Sequence, residues 1–237
     1  MEHQKHSEGA VAVAEAEKQK QAAANAAVKY VKDGMVVGLG TGSTTTYFIR
    51  ALGAYVAEKG IKVSCIPTSY DSKQLAFKSG LYVVELDAVD HIDLAVDGAD
   101  AVNEKLQSIK GAGGALVREK VVAYAATDFT IIIDQSKLKP LGGVVPIEVT
   151  PFAYSTVIRH LKDQGIKALA RTGTGKYGPL ISDNGNYILD AKMEVKEPEK
   201  MEQHLTNIPG VIACGIFTKC TRVIVGTPEG VKIIGAP

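Results

Sequence analysis

Three segments combine glycines with hydroxyl, carboxylate or amine side chains, and the first of them could hold an anion. It runs from Gly38 to Thr44 as Gly-Leu-Gly-Thr-Gly-Ser-Thr, between an apolar run and a helical pattern. Glycines allow a tight turn, the amides of a helix N-terminus face an anion, and Ser43 and Thr44 add hydroxyl donors. The pattern is neither G-x-G-x-x-G nor a Walker A loop, because Ser43 replaces the third glycine and no Gly-Lys-Ser/Thr follows. It predicts a phosphate or carboxylate site in preference to a βα turn that binds nothing.

The second segment holds two acidic residues, Asp97 and Asp100, directly after the apolar run of residues 92–96. In an open α/β sheet, ligands bind at the carboxyl ends of the strands, so both side chains would point into that crevice. Aspartate and glycine also favour turns and helix caps, and a purely structural role stays open for each residue.

The third segment is the glycine-rich loop that follows Lys110 and leads into a helix carrying Glu119. Charges such as those of residues 118–120 usually lie on a solvated helix face. Apolar residues flank this triplet, however, and a period of 3.6 residues brings the core-facing stripe close to Glu119. A partly desolvated carboxylate at this position suits proton abstraction, which needs a base tuned towards neutral pH.

The composition argues against several other classes of protein. Lys and Arg total 27 against 26 Asp and Glu, a net charge of +1, whereas a sequence-independent nucleic-acid binder needs a basic face. No stretch approaches the ~20 consecutive apolar residues of a membrane helix. The five histidines show no metal-ligand spacing, and the three cysteines form neither a disulfide framework nor C-x-x-C. We therefore expect no metal, no cofactor, no nucleic acid and no membrane partner.

The elements around the three segments alternate between helical and strand-like patterns, which predicts parallel βαβ units in an α/β domain. The predicted helices cover residues 10–32, 43–60, 69–78 and 115–126, and the predicted strands cover residues 35–39, 61–66, 81–86, 92–96 and 129–133. The polar segment before about Glu17 lacks the apolar run of a secretory signal, and we expect it to be a disordered extension.

The second half of the chain has a different pattern, in which strands and helices follow the order β-α-β-β-α-β. A hairpin is predicted between residues 180–182 and 187–190, across Asp-Asn-Gly-Asn, and a final hairpin between residues 222–225 and 231–234. The prediction is therefore a Rossmann-like parallel-sheet domain, residues 1–145 plus 218–237. A small split-βαβ, ferredoxin-like α+β domain, residues 146–217, is inserted in it.

The combined segments resemble one known family, the type A ribose-5-phosphate isomerases. The likeness is carried by Gly38–Thr44, Val96–Asp100 and Lys110–Lys120, and it covers about residues 17–235 in the family's order. The other matching segments are Ile133–Lys137, Pro146–Val149, Asp183–Asn186, Ile208–Val211 and Gly226–Gly230.

This resemblance implies metal-free interconversion of D-ribose 5-phosphate and D-ribulose 5-phosphate through a cis-enediolate, in the pentose phosphate pathway. It also implies a cytoplasmic homodimer or homotetramer whose partner is a small sugar phosphate. An enediolate needs a base, nearby positive charge and N–H donors at the developing oxyanion, which agrees with the three segments.

The resemblance also implies roles for individual residues. Glu119 would move the proton between carbons 1 and 2, and Asp97 would handle hydroxyl protons and ring opening. Lys110, with Asp100 and the glycine-rich loop, would position and stabilise the enediolate. Lys20 would face the phosphate, and Lys137 would complete the pocket. The residues implied to bind substrate are Lys20, Gly40, Thr41, Gly42, Ser43, Thr44, Gly111, Ala112, Gly113, Gly114 and Lys137.

One position departs from the family pattern, and two other functions stay open. The family usually has Glu after Asp-Gly-Ala-Asp, where this chain has Ala101, so we expect altered affinity or local packing without loss of the reaction. A CoA transferase on a related scaffold would use Glu119 as a covalent nucleophile. A non-catalytic sugar-phosphate sensor would bind without turnover, but it usually carries a DNA-binding helix-turn-helix, for which the N-terminal helix has no partner and no basic face.

Overall fold

The computed structural model describes residues 2–175 and 177–236, and side chains from residue 13 onward. The helices are α1 (Glu2–Val28), α2 (Ser43–Lys59), α3 (Tyr70–Lys78), α4 (Leu116–Ala125), α5 (Tyr154–Asp163) and α6 (Pro198–Thr206). The strands are β1 (Val36–Leu39), β2 (Ser64–Pro67), β3 (Tyr82–Val83), β4 (Ile92–Asp97), β5 (Ala101–Val102), β6 (Ser108–Ile109), β7 (Ala126–Asp134), β8 (Gly142–Val149), β9 (Lys167–Ala170), β10 (Tyr187–Glu194), β11 (Val211–Cys214), β12 (Ile216–Phe217), β13 (Arg222–Thr227) and β14 (Gly230–Gly235).

The largest sheet has seven strands in the order β14-β13-β7-β4-β1-β2-β3. All neighbours are parallel except β14, which forms an antiparallel hairpin with β13. Ile132 of β7 packs with α1 and α2 on one face, and Ile131 and Ile133 pack with α4 on the other. Because both faces are covered, these strands appear in the sequence as continuous apolar runs. The predicted parallel sheet and final hairpin are confirmed.

The strand order places a ligand-binding crevice between β1 and β4. The chain builds the sheet outward from β1 through β2 to β3, and then continues on the other side of β1 with β4, β7 and β13. Open α/β sheets bind ligands at such a switch point, outside the carboxyl ends of the strands. The loops that follow Leu39 and Asp97 therefore begin side by side.

A second sheet has four antiparallel strands in the order β11-β8-β10-β9. Helices α5 and α6 cover one face through Val157, Leu161 and Leu205. The chain order β8-α5-β9-β10-α6-β11 is the split-βαβ arrangement expected from the sequence. The boundaries at residues 146 and 217 stay a prediction, and β8 itself begins at Gly142.

A third, three-stranded sheet, β12-β6-β5, was not predicted. Strand β5 begins directly after Asp100, and β6 ends directly before Lys110. Antiparallel pairing of Ala101 with Ile109 then brings Asp100 and Lys110 next to each other.

Three predictions in the first half of the chain are wrong. Helix α1 begins at Glu2, so the segment expected as a disordered extension is helical, and the helix ends at Val28, before the predicted end at residue 32. The alanine-rich residues 10–28 favour helix, and the polar residues 2–9 continue it at its N-terminal end. The strand expected over residues 81–86 is reduced to Tyr82–Val83, followed by a short 3₁₀ helix, Leu86–Ala88.

The hairpin expected between residues 180–182 and 187–190 is also wrong. The turn between them forms, but strand pairing is limited to a single bridge between Ile181 and Tyr187. Strand β10 is paired along both edges with β8 and β9 instead. Ala168 of β9 is buried in the apolar cluster of the four-stranded sheet, whereas Ile181 is half exposed and lies outside that cluster.

The contact between α1 and the sheet predicts that Gly226→Ala is strongly destabilising. A Cβ atom on Gly226 would lie 1.9 Å from the backbone oxygen of Gln19 in α1, and backbone cannot move aside cheaply. Overpacking of this kind costs about 1–3 kcal/mol, which urea unfolding would measure. Gly173→Ala is the matched control, since its Cβ would meet only Leu180 at 3.8 Å. Equal stability of the two variants would contradict this account.

Candidate active site

The loops after β1 and β4 meet closely because Gly40 has no side chain. A Cβ atom at Gly40 would lie 2.0 Å from Cγ of Asp97. The Gly40 amide donates to the Val96 carbonyl at 3.0 Å, which continues the sheet past the end of β1. Gly42, with φ of 126°, then precedes the first turn of α2, a conformation that favours glycine.

Asp97 is nearly fully buried and is held by donors on both carboxylate oxygens. Its Oδ1 accepts hydrogen bonds from the amides of Thr41 (3.1 Å) and Gly98 (2.7 Å) and from the Thr45 hydroxyl (3.3 Å). Its Oδ2 lies 2.8 Å from Nζ of Lys110. These contacts fix the carboxylate directly beneath the crevice.

Lys110 places a buried ammonium between two carboxylates. Its side chain is 2% exposed, and Nζ lies 2.8 Å from Asp97 Oδ2 and 3.3 Å from Glu119 Oε2. Nζ also donates to the Gly98 carbonyl. Burial alone lowers the pKa of Lys110, but the negative charges of Asp97 and Glu119 outweigh burial and raise it. The lysine therefore stays charged.

Glu119 lies in the first turn of α4 and is as buried as Lys110. Burial, together with the charge of Asp97, raises the pKa of Glu119 to about 8, and Lys110 opposes this shift. Its Oε2 makes no well-formed hydrogen bond despite the nearby ammonium. A carboxylate with a pKa near neutrality and a weakly bonded oxygen is suited to accept a proton from a substrate.

A cavity of about 270 Å³ opens above these three residues. Its lining includes most of the residues predicted from the sequence: Lys20, Thr41, Gly42, Ser43, Thr44, Asp100, Lys110, Gly111, Ala112, Gly113, Glu119 and Lys137. Gly98 and Ala99 also line it. Gly40 and Asp97 lie below the cavity, and Gly114 lies beside it against Ile188 and Leu180.

Positive charge reaches the cavity from two further lysines. Lys20 of α1 contacts Ser43 Oγ at 3.1 Å and pairs with Glu17 at 2.7 Å. Lys137 comes from the 3₁₀ turn after β7. With the N-terminus of α2, which begins at Ser43, they form a positively charged wall of the cavity.

Other residues that hold the site were missed, because they lie far from it in the sequence. The Thr41 hydroxyl is 2.8 Å from both the Thr68 and the Ser69 hydroxyls, after β2. Arg171, after β9, donates to the carbonyls of Gly111 (2.9 Å) and Ala112 (3.0 Å). No local motif marks these residues, and the sequence analysis included Ser69 only as the first residue of a predicted helix.

A second set of contacts that the sequence analysis missed connects helix α4 to the four-stranded sheet. Arg118 donates to the side chain of Asn184 at 2.8 Å and to the backbone oxygen of Asp183 at 2.9 Å. Asn184 in turn donates to Glu148 of β8, which is fully buried. These bonds fix the residue next to Glu119.

Ala101, the departure from the family pattern, lies outside the cavity lining. Its side chain is 3% exposed and packs in the apolar cluster of the four-stranded sheet. Ala101 therefore contributes to local packing of this cluster.

Within the described residues, no group of three or more His, Cys, Asp or Glu side chains is arranged to hold a metal ion. The same part of the chain contains no helix that is both long and apolar enough to cross a membrane.

An α/β crevice with a buried carboxyl of raised pKa, a charged lysine and a positively charged wall has the features that an enzyme needs to shift protons on small phosphorylated compounds. A family model identifies the family within this class of enzymes. The model of ribose 5-phosphate isomerase A (phosphoriboisomerase A) matches residues 64–230, and the chain belongs to this family.

Relatives and solved structures agree with this assignment. The isomerase A of Methanococcus maripaludis is 47% identical over 215 residues, covering 89% of this chain and 90% of the relative. The solved isomerase A of Methanocaldococcus jannaschii has a TM-score of 0.89 at 47% identity, over 92% of this chain and 98% of that one. A D-ribose-5-phosphate isomerase solved with phospho-erythronic acid has a TM-score of 0.90 at 46% identity, over 93% and 99% of the two chains.

The chain is therefore an isomerase that interconverts ribose 5-phosphate and ribulose 5-phosphate. The Rossmann-like and split-βαβ architecture expected from the sequence is confirmed by the same solved structures. The two alternative functions left open by the sequence, a CoA transferase and a non-catalytic sensor, are therefore rejected.

The buried carboxyl of Glu119 predicts a loss of stability as the pH rises. Its pKa is about 8 in the folded chain against an ordinary value of 4.5, so between these values the folded chain holds a proton that the unfolded chain has released. The free energy of unfolding therefore falls from about pH 4.5 to about pH 8. Glu119→Gln lacks this loss. The melting temperature of the variant should therefore rise relative to that of the wild type across this range, and above it the difference should become constant.

Glu104→Gln, at an exposed position, is the control for this comparison and should follow the wild type. A constant difference between Glu119→Gln and the wild type from pH 5 to pH 8 would refute the raised pKa.

Proposed function

We propose that Glu119 is the base of the isomerisation and that it carries one proton between carbon 2 and carbon 1 through a cis-enediolate. One observation carries this proposal: a buried Glu119 with a pKa of about 8 faces the cavity beside the ion-paired Lys110. A base at this pKa combines a usable fraction of carboxylate with a useful affinity for the proton.

The proton transfers balance within the substrate and three side chains. In the open-chain aldose, the Glu119 carboxylate removes the carbon-2 proton, and the electron pair moves onto the carbonyl oxygen at carbon 1. The same proton returns to carbon 1, while a proton passes from the carbon-2 hydroxyl to the carbon-1 oxygen. In this proposal Asp97, which lies below the cavity and pairs with Lys110, exchanges hydroxyl protons and assists ring opening, and Lys110 stabilises the negative oxygen.

The remaining predicted residues bind and orient the substrate. Lys20, Lys137 and the N-terminus of α2 bind the phosphate, which fixes the sugar for reaction at its other end. The binding hydroxyls belong to Thr41, Ser43 and Thr44. Asp100 accepts a hydrogen bond from the Ala112 amide at 3.1 Å and so orders the glycine-rich loop, Gly111 to Gly114, above the reacting carbons.

The ligand of the solved relative supports this placement. Phospho-erythronic acid has a phosphate and a carboxylate, and a carboxylate is planar and anionic, as an enediolate is. A site that holds both groups provides an anion-binding wall and a second positive region, which correspond here to Lys20 with Lys137 and to Lys110.

The family resemblance also supports proposals that go beyond the site. They are a metal-independent reaction, a role in the pentose phosphate pathway, a cytoplasmic location, and a homodimer or homotetramer.

The first experiment measures ribulose 5-phosphate formation from ribose 5-phosphate in excess EDTA, for the wild type and Glu119→Gln. The amide keeps the shape of the side chain but cannot take the proton, so turnover should fall by ~10³ or more. Glu104→Gln should match the wild type. Rapid turnover by Glu119→Gln would place the base elsewhere, and loss of wild-type activity in EDTA would contradict metal independence.

The pH dependence of kcat/KM gives a second test, because it reports ionisation in the free enzyme. Only the carboxylate form of Glu119 accepts a proton, so kcat/KM should fall as the pH drops below about 8. An acid limb near pH 4.5 would show that the base is an ordinary exposed carboxyl.

A further inference from the structure

The glycine-rich loop above the cavity is held from outside by one arginine of the four-stranded sheet. Arg171 directly follows β9 and is 14% exposed. Its Nη1 donates to the backbone oxygens of Gly111 (2.9 Å) and Ala112 (3.0 Å). The amide of Gly114 also donates to the Gly111 oxygen at 3.0 Å, which closes the turn.

The guanidinium is itself fixed by a carboxylate on the neighbouring strand. Its Nη2 lies 2.6 Å from Oδ1 of Asp190, and its Nε lies 3.0 Å from Oδ2. This two-pronged pairing orients the plane of the guanidinium and leaves Nη1 directed at the loop. A lysine could reproduce the charge but not this geometry.

Holding two carbonyls determines where the next two amides point. In a trans peptide unit, the C=O and the following N–H point in opposite directions. The Gly111 carbonyl faces Arg171, and the Ala112 amide correspondingly donates to Asp100 Oδ2, which lines the cavity. The Ala112 carbonyl also faces Arg171, so the Gly113 amide is turned towards the cavity side of the loop. Gly113 lies next to Thr41, which also lines the cavity, since a Cβ at Gly113 would be 3.5 Å from the Thr41 methyl group.

We propose that Arg171, oriented by Asp190, is a positioning residue that aims the Gly113 backbone amide of the glycine-rich loop at the oxyanion of the reaction intermediate. This inference rests on the proposed function, in which an enediolate forms beneath that loop. Preorganised donors lower the barrier because they do not have to be reoriented during the reaction. Arg171 does not line the cavity, so it acts through the loop.

The test compares Arg171→Ala with Arg159→Ala, which removes an exposed arginine of α5 in the same part of the chain. For Arg171→Ala we expect kcat to fall about 10- to 100-fold, less than the ~10²–10³ that follows loss of an oxyanion donor itself. The affinity for phospho-erythronic acid should fall in the same proportion as kcat/KM, whereas the affinity for inorganic phosphate should stay within about twofold. Added guanidinium should restore part of kcat.

Several results would overturn the inference. One is a wild-type kcat in Arg171→Ala; another is a parallel loss of kcat and phosphate affinity that guanidinium does not restore, which would indicate general structural support. If Arg171→Ala does not fold, Asp190→Asn tests the inference instead, because it removes the carboxylate that orients Arg171. A reduced kcat with unchanged phosphate affinity supports the inference, and an unchanged kcat overturns it. If the proposed function is wrong, the Glu119→Gln variant will be active. That result is distinct from every outcome of the Arg171→Ala experiment.

Discussion

The buried ammonium of Lys110 is the constraint on which the rest of the site depends. A charge with 2% exposure is tolerated only when opposite charges and acceptors replace its hydration. Asp97 supplies the nearest charge, and Glu119 supplies a second one that is weakly bonded. The same burial, together with the charge of Asp97, raises the pKa of Glu119, although the lysine opposes that shift. The raised pKa of the glutamate is therefore a consequence of burying three ionisable side chains together.

Each member of this cluster is supplied by a different layer of the fold. Asp97 is the last residue of a central strand, Glu119 lies in the first turn of helix α4, and Lys110 follows a strand of the small third sheet. The four-stranded sheet contributes no member of the cluster, but Arg171 and the loop around Asn184 fix the segments on either side of it. The cluster is thus assembled by the seven-stranded sheet, helix α4 and the small third sheet, and the four-stranded sheet holds the neighbouring segments in position.

Local patterns predicted the parts of the structure that local chemistry determines. The glycine loop before α2, the acids after β4 and the amphipathic position of Glu119 follow from turn chemistry and periodicity, and the order of elements follows from alternation. The role of Arg171 could not be predicted, because the two carbonyls that it holds are about sixty residues away in the sequence and no motif connects them to it. The partner of β10 was missed for a similar reason: competition between β9 and residues 180–182 is decided by tertiary burial, which a turn motif does not report.

The contact between α1 and β13 has a consequence for how the chain is made. Gln19 of the first helix lies against Gly226, and Lys20 beside it reaches the cavity. A ribosome releases α1 first and β13 only some two hundred residues later, with the whole four-stranded sheet emerging in between. Helix α1 can pack on α2 and β7 earlier, but it lacks β13 during most of synthesis. The Lys20 side of the cavity therefore gains its last supporting neighbour only after translation has passed Thr227.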